Sequence, residues 1–389
     1  MKETKFKYTE IGYIPNDWEV SKWGDVLTTF SSGATPFRGN LDYYKGNNLW
    51  ISSGELNYNV ITETIEHISA KAIQETNLRV HKPNTFLMAI TGLEAPGTRG
   101  RCAFVGKPAC TNQSCLAINS TNKMIVEYLF WFYRAYSDYL AFKYCQGSKQ
   151  QSYTAEIVKK LPIIVPPLPE QHRIAAALSD IDTLIQKLEI LIQKKQNIKQ
   201  GAMQSLLTGK KRLKGFEGEW CEKKLGEIIK IGHGKDYKHL GYGEIPVYGT
   251  GGYMTSVNDY LYDGETVCIG RKGTIDKPLY YNGKIWTVDT LFYTYDFKGV
   301  IPKYLYYLFG LIDWLSLNEA SGVPSLTSKN IEDITVSLPP TLGEQCAISK
   351  ILSDMDSDIS KLEAKKLKYT AIKQGMMQQL LTGKIRLTE

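Results

Sequence analysis

The sequence predicts two α/β (α+β) domains, related by an approximate two-fold axis and separated by an antiparallel two-helix coiled-coil spacer. Three observations carry this. The stretch 170–213, EQHRIAAALSDID…LE…IKQGAMQSLLTGKKRL, returns at 344–387 as EQCAISKILSDMD…LE…IKQGMMQQLLTGKIRL. The offset is 174 residues without a gap, with 25 identities in 44 positions. The segments before the two copies differ in detail but share landmarks. Trp18 and Gly24 correspond to Trp220 and Gly226 at an offset of 202, and the runs EYLFWFY (127–133) and KYLYYLF (303–309) at an offset of 176, so the first segment carries an insertion of 26 residues. Each copy also has the apolar spacing of a coiled-coil seam. A long internal repeat fixes the architecture before any local pattern does. A constant frame with variable contents is the layout of a two-armed binder.

The frame divides the 389 residues into four segments: a first variable domain (1–160), a helical spacer region (161–213), a second variable domain (214–334) and a second spacer region (335–389). The length allows more than one core. The variable segments read as strand-rich, with short β-prone runs such as 266–269 and 285–288 between Gly-rich turns. The aromatic runs, apolar all round, read as one core helix in each.

The repeats read as long helices. Leu178, Ile181, Ile185, Leu188 and Ile192 form one seam, widened by Leu184, Leu191 and Ile198. Leu352, Met355, Ile359, Leu362, Tyr369, Met376 and Leu380 form the other, interrupted by Lys366 and Lys373. Pro166, Pro167 and Pro169 lead into the first helix, and Pro339 and Pro340 into the second. Thr341 with Glu344 fits a capping box. Gly209 and Gly383, each followed by Lys, suit the C-terminal ends. Residues 171–208 would make a helix of roughly 57 Å. Gly201 and Gly375 occupy matching places inside the helices, where each costs about 1 kcal/mol against Ala. The cost repeated at one place suggests close approach of another backbone, either the second helix or a partner's.

Composition is that of an ordinary globular chain, and the formal net charge of +7 is compatible with nucleic acid. Seven cysteines at irregular spacing, with no Cys-x-x-Cys, point to reduced thiols in a cytosolic protein. The start, MKETKFKYTE, lacks the apolar stretch of a signal peptide. The most apolar run, 128–142, is too short for a membrane span and carries Arg134 and Asp138. Catalytic signatures are missing. YGTGGY (248–253) reads as a turn rather than a nucleotide loop, no Gly-Lys pair continues into Ser or Thr, and His233 and His239 have no third ligand nearby.

Basic and amide residues in Gly-rich loops are the candidates for DNA contact. In the first domain they are Arg38, Arg99, Arg101, Lys149 and Gln150, with Gln151. In the second they are Lys235, Tyr237, Lys238, Arg271, Lys272 and Lys277. Such side chains read base edges and hold phosphates. GTRGR and GRKG follow apolar strand-like runs in similar positions of the two domains.

These features together resemble the specificity (S) subunit of type I restriction–modification systems. The paired Leu-Pro…Pro…Glu-Gln starts and Met-Gln-x-Leu-Leu-Thr-Gly-Lys ends carry the resemblance. So do GATPFRGNLDYYKGNNLWIS (33–52), IPVYGTGGY (245–253), GRKGTIDKP (270–278) and WTVDTLF (286–292), and it covers the entire chain. The resemblance implies that each variable domain is a target-recognition domain binding one half of a split DNA sequence. It implies that the helices set the spacing and dock two methyltransferase (M) subunits, and that motor-nuclease (R) subunits join to cut DNA. S-adenosylmethionine, ATP and Mg2+ would then belong to partner subunits and none to this chain, which would do no chemistry itself in a bacterial or archaeal cytoplasm. Leu178, Ile185, Leu188, Gly201, Leu352, Ile359, Leu362 and Gly375 are the expected spacer and docking residues. Cys346 and Ala347 stand where the first repeat has His172 and Arg173, so the two helix starts are expected to meet partners unequally. Two other readings remain open: a stand-alone DNA-binding scaffold or regulator without modification partners, and an enzyme with an unrecognised site.

Overall fold

The computed structural model describes residues 5–95, 97–146, 151–318 and 320–388. They form two compact units, Met1–Lys187 with Lys366–Glu389, and Leu188–Lys365. Each unit joins one variable segment to part of both repeats.

In chain order, unit 1 begins with β1 (Phe6–Thr9), β2 (Gly12–Pro15), β3 (Glu19–Lys22), α1 (Trp23–Val26), β4 (Thr28–Ser32) and β5 (Asn48–Ile51). Then come β6 (Val60–Ile61), β7 (Glu66–Ile68), α2 (Ala70–Glu75), β8 (Phe86–Ala89), β9 (Cys102–Val105), β10 (Ala109–Thr111) and β11 (Cys115–Asn119). The helices α3 (Val126–Tyr144) and α4 (Ala155–Lys160), the strand β12 (Pro162–Val165) and the start of α5 (Leu168–Leu206) close the segment. Unit 2 has β13 (Cys221–Lys224), α6 (Leu225–Ile228), β14 (Lys230–His233), β15 (Tyr242–Gly249), β16 (Gly252–Val257), β17 (Tyr262–Gly270), β18 (Leu279–Thr287) and β19 (Leu291–Tyr295). It continues with α7 (Pro302–Phe309), α8 (Ser328–Glu332), β20 (Thr335–Leu338) and α9 (Leu342–Leu380), whose far end returns to unit 1.

The two variable segments share one sheet topology. In unit 2 the order is β14-β19-β17-β18-β15-β16, antiparallel except for the parallel β15–β18 pair. In unit 1, β4-β11-β8-β9 repeats the first four positions, and β10-β5-β7 repeats the rest with the same parallel pair, β10–β5. The difference is that β18 is one strand, whereas its counterpart is broken into β9 and β10. The isolated His81–Ala109 bridge continues the β8–β9 register across the break. β6 pairs in parallel with β9 and is extra. The flanking pairs β3–β12 and β13–β20 also match.

The central strands are covered on both faces, which is why they read as unbroken apolar runs. Side chains alternate across a strand. Phe86, Met88, Leu116 and Ile118 face the core around α3, while Leu87, Ala89, Cys115 and Ala117 face a smaller second core. In unit 2, Val267, Ile269 and Phe292 join the core around α7, and Cys268 and Leu291 the opposite one. The aromatic runs are core helices, as expected. Tyr128, Leu129, Phe130, Trp131, Phe132 and Tyr133 are buried in α3, and Tyr304, Leu305, Tyr307, Leu308 and Phe309 in α7.

The long helices start at Leu168 and Leu342 and each runs for 39 residues. Pro169 therefore lies inside the first turn rather than ahead of it, where its missing N–H costs nothing. Gly209 (φ 70°) and Gly383 (φ 68°) terminate them in left-handed conformation. The amides of Lys211 and Ile385, 174 residues apart, close the ends by bonding back to the Ser205 and Gln379 carbonyls.

Within each unit the start of one helix is clasped to the chain just past the end of the other. Glu170 accepts from Nε and Nη2 of Arg386 (2.8 Å each), from the Leu387 amide (3.1 Å) and from the Trp18 indole (3.0 Å). Glu344 accepts from Nε (2.6 Å) and Nη2 (2.8 Å) of Arg212. The expected capping box is thus half formed. Thr341 Oγ1 accepts from the Glu344 amide at 3.3 Å, but the Glu344 carboxylate goes to the arginine. The adjacent glutamines tie the core helices to the spacer. Gln171 accepts from the Ile125 amide (3.1 Å) and donates to the Lys123 carbonyl (2.9 Å). Gln345 accepts from the Ile301 amide (2.9 Å) and donates to the Gly299 carbonyl (2.9 Å).

The seam differs from its expected form in three places. Leu178, Ile181, Ile185, Leu188, Ile192, Leu352, Ile359 and Leu380 are buried and Leu362 is half-buried, but Leu191 and Ile198 are exposed. Lys373 does not interrupt packing: its ammonium binds Asp182 at 2.7 Å. This is the counterpart of the Lys199–Asp356 ion pair in unit 2. Gly201 and Gly375 are exposed, and a Cβ on either would meet nothing within 4 Å, so no second helix of this chain crosses there.

Candidate nucleic-acid interface

In each unit one turn at the edge of the sheet gathers the candidate loops. In unit 2 it is the turn between β18 and β19, closed by the Leu291 amide on the Val288 carbonyl at 2.9 Å. The loop after β14 hangs on it through the Lys235 amide, which donates to the Thr287 carbonyl at 2.8 Å. Gly234 is required there, because a Cβ would lie 1.9 Å from the Val288 carbonyl oxygen. The loop after β17 hangs on it through the amides of Arg271 (2.7 Å) and Lys272 (3.2 Å), both on the Thr290 carbonyl. The Trp286 indole donates to the Lys235 carbonyl at 2.8 Å and locks the first loop to the core.

Unit 1 repeats the construction. The Ala34 amide donates to the Thr111 carbonyl (3.1 Å), and the Ile90 amide to the Ser114 carbonyl (2.9 Å). A Cβ on Gly33 would lie 1.7 Å from the Thr111 carbonyl oxygen. The Trp50 indole donates to the Ala34 carbonyl at 3.1 Å. The rim has the same backbone in both units and different side chains.

The predicted DNA residues are distributed unevenly over these rims. Lys235, Arg271 and Lys272 are exposed and brought together on one turn. Arg271 Nη1 donates to the Asp289 carbonyl at 3.3 Å, and Lys235 and Lys272 make no ion pair among the described residues. Lys238 and Lys277 are exposed on the same two loops, whereas Tyr237 is half-buried against the Val247 and Trp286 cluster. In unit 1, Arg38 is exposed, stacks 4.6 Å over Tyr44 and forms a two-pronged ion pair with Glu66, whose carboxyl it holds below the usual range. An exposed pair of this kind is worth at most about 1 kcal/mol, so a phosphate can replace the carboxylate.

Arg99 does not occupy the position of Arg271. The backbone bonds match Arg271 and Lys272 to Ile90 and Thr91, since the Tyr153 amide meets the Ile90 carbonyl (2.8 Å) as the Leu326 amide meets that of Arg271 (2.9 Å). Arg99 comes later and braces the loop from half-buried positions, with Nε on the Leu93 carbonyl (2.8 Å) and Nη2 on the Gln151 amide oxygen (3.0 Å). Arg101, also half-buried, donates to the Gly97 carbonyl at 2.7 Å. Lys149 and Gln150 lie outside the described residues. Sequence reasoning missed Gln113 and Asp289, exposed at equivalent places on the two turns. The signal was available as the aligned strings CTNQSCL and WTVDTLF at the offset of 176.

The YGTGGY stretch forms the tight turn between β15 and β16, with Gly249 paired to Gly252. His233 and His239 are exposed and lie against the rings of Phe292 and Trp286. All seven cysteines are free thiols. Among the described residues no group of three or more His, Cys, Asp or Glu is placed to hold a metal ion, and no helix is long and apolar enough to cross a membrane. What the rims can do is neutralise phosphates with Lys and Arg and present donors and acceptors to base edges.

The family described as "Type I restriction modification DNA specificity domain" matches residues 15–200 and 217–369. The chain is 29% identical over 256 residues to the type I restriction enzyme MjaIX specificity subunit of Methanocaldococcus jannaschii, a match covering 60% of this chain and 56% of that protein. It is 24% identical to the MjaVIII specificity subunit of the same organism over 99% of this chain and 97% of that one. In fold it is similar to the crystal structure of a type I restriction–modification S subunit from M. genitalium. The TM-score is 0.67 at 18% identity, over 97% of this chain and 98% of that one.

Proposed function

This chain belongs to the type I restriction–modification DNA specificity-domain family, and from that premise we propose that its two units are target-recognition domains, each reading one half of a split DNA site. The observation that carries the reading is the repeated rim: one backbone scaffold, built twice and armed with unlike side chains. α5 and α9 set the gap between the half-sites. The chain directs partner subunits and carries out no reaction itself. S-adenosylmethionine serves its M subunits, two per chain, which methylate adenine, while ATP and Mg2+ serve its R subunits, which cut the DNA.

Inserting one helical turn at matched points of α5 and α9 lengthens them by roughly 6 Å, or about two base pairs. Methylated adenines mapped in host DNA should then show a wider gap between unchanged half-sites. Altered half-site sequences would refute the spacer role.

Replacing Arg271 and Lys272 together with Ala should weaken duplex binding and reduce the slope of log K against log salt by about 1–2. Binding that is unaltered across a salt series would remove both residues from the interface.

Gly201 and Gly375 have a place in the same reading. Each lies on an exposed stretch of spacer helix beside an exposed isoleucine, Ile198 in unit 2 and Ile372 in unit 1. These faces seat helices of the M subunits, whose backbones approach closely where no Cβ intervenes. The double replacement by Leu should raise the unfolding midpoint slightly, since two helix-interior glycines are removed where nothing lies within 4 Å of a Cβ, and should weaken co-purification with the M subunit. Full retention of that partner would place docking elsewhere.

A further inference from the structure

Asp289 stands on the cationic rim of unit 2, on the turn to which Lys235, Arg271 and Lys272 are bonded through their backbones. Its backbone carbonyl takes the Arg271 guanidinium, yet its exposed carboxylate makes no hydrogen bond or ion pair among the described residues. It does not serve as a turn cap either. The equivalent turn in unit 1 is capped by Asn112, whose Oδ1 accepts from the Ser114 amide at 3.1 Å, and elsewhere Asp313 caps the Ser316 amide. An unclaimed negative charge on such a rim repels phosphate, so it suits the surface only if DNA presents a donor there.

The equivalent residue in unit 1 is Gln113. Its amide is oriented by Thr35, whose hydroxyl donates to Oε1 at 2.6 Å. One position on a shared scaffold thus carries a pure acceptor in one unit and an acceptor–donor pair in the other.

The major-groove edges discriminate between these two chemistries. Cytosine presents only the N4 amino donor, guanine two acceptors, thymine an acceptor, and adenine an acceptor beside a donor. A carboxylate is repelled by every edge that carries an acceptor, which leaves cytosine. An amide matches adenine N7 and N6 together. Resting on the reading of the two units as half-site readers, we propose that Asp289 and Gln113 are equivalent specificity-determining residues, Asp289 selecting a cytosine in one half-site and Gln113 an adenine in the other.

The test uses the full chain with its methyltransferase subunits, selecting from randomised duplexes, together with the adenine-methylation motif in host DNA. Asp289→Asn should move the preference at one base pair of one half-site from cytosine towards adenine, with about a tenfold change in discrimination. Gln113→Glu should make the opposite change at one base pair of the other half-site. Asp289→Ala should lose discrimination at the Asn-sensitive position and bind unrelated duplex more tightly at low salt. The proposal fails if Asp289→Asn and Gln113→Glu leave the motif intact, or if both alter the same half-site. A wild-type chain that selects no split motif overturns it together with the reading beneath it, whereas an intact split motif in both variants overturns it alone.

Discussion

Replacing Glu170 with Ala should lower the stability of unit 1 by about 3 kcal/mol, the cost of breaking a buried pair by removing one partner. The Glu170 side chain is 2% exposed and accepts four hydrogen bonds. Its removal leaves the Arg386 guanidinium, 15% exposed, with only Asp17 to answer it, and leaves the Trp18 indole and Leu387 amide without their acceptor. Part of the clasp is retained in acid too. Asp17 is held below its ordinary carboxylate range chiefly by its hydrogen bonds to Arg386, so its contribution is present above about pH 4 and fades only below that. Denaturant unfolding of the full chain, with hydrogen exchange to confirm that the loss falls in unit 1, measures the effect. A loss under about 1 kcal/mol would mean that the clasp is ornamental to stability. The twin clasp, Arg212–Glu344, lies in unit 2 and should be untouched.

The second large effect is a dependence on pH set by His81. Its side chain is 4% exposed beneath the broken strand, where its backbone bridges to Ala109 and its Nε2 lies 3.5 Å from the Thr111 hydroxyl. Burial, helped by the charge of Arg79, pushes its pKa down to about 4 from an ordinary 6.5. The imidazole is therefore neutral in the fold, while the unfolded chain takes up a proton as pH falls below about 6.5. Stability from this group is complete above that pH and is lost between about 6.5 and 4, and two to three pKa units correspond to about 3 kcal/mol. Wild type and His81→Gln, unfolded in denaturant at pH 7.5 and at pH 4.5, separate this group from the carboxylates that titrate with it. The variant should lose about 2–3 kcal/mol less than wild type on acidification. Equal losses would show that His81 does not bind the proton differently in the two states. The site matters because Thr111 belongs to the turn on which the unit 1 rim is built.

Much of this organisation was legible in the primary structure, and particular residues show why. The two long helices follow from apolar spacing and from Gly209 and Gly383 at their ends, which are local properties. The core helices follow from unbroken aromatic runs. The clasp was present among the identities of the repeat, as Glu170, Gln171 and Arg212 matched by Glu344, Gln345 and Arg386. Their partners were not readable, because each bond joins residues more than 40 positions apart. The same limit explains the exchange of Arg99 for a bracing role and the orientation of Gly201 and Gly375 towards solvent. Helical periodicity places residues on a face but does not say which face meets the second helix.

The amino-acid order by itself determined that there are two unlike domains on one repeated frame, because helix propensity, capping and apolar period act over a few residues and repeat wherever the letters repeat. Only the tertiary structure decided that Thr111 and Thr287 anchor the rims and that Gln113 and Asp289 stand exposed on the turns to which the loops are bonded. A sheet whose neighbours are distant in the chain is assembled by long-range pairing, and that pairing, rather than any local pattern, sets which loops share an edge.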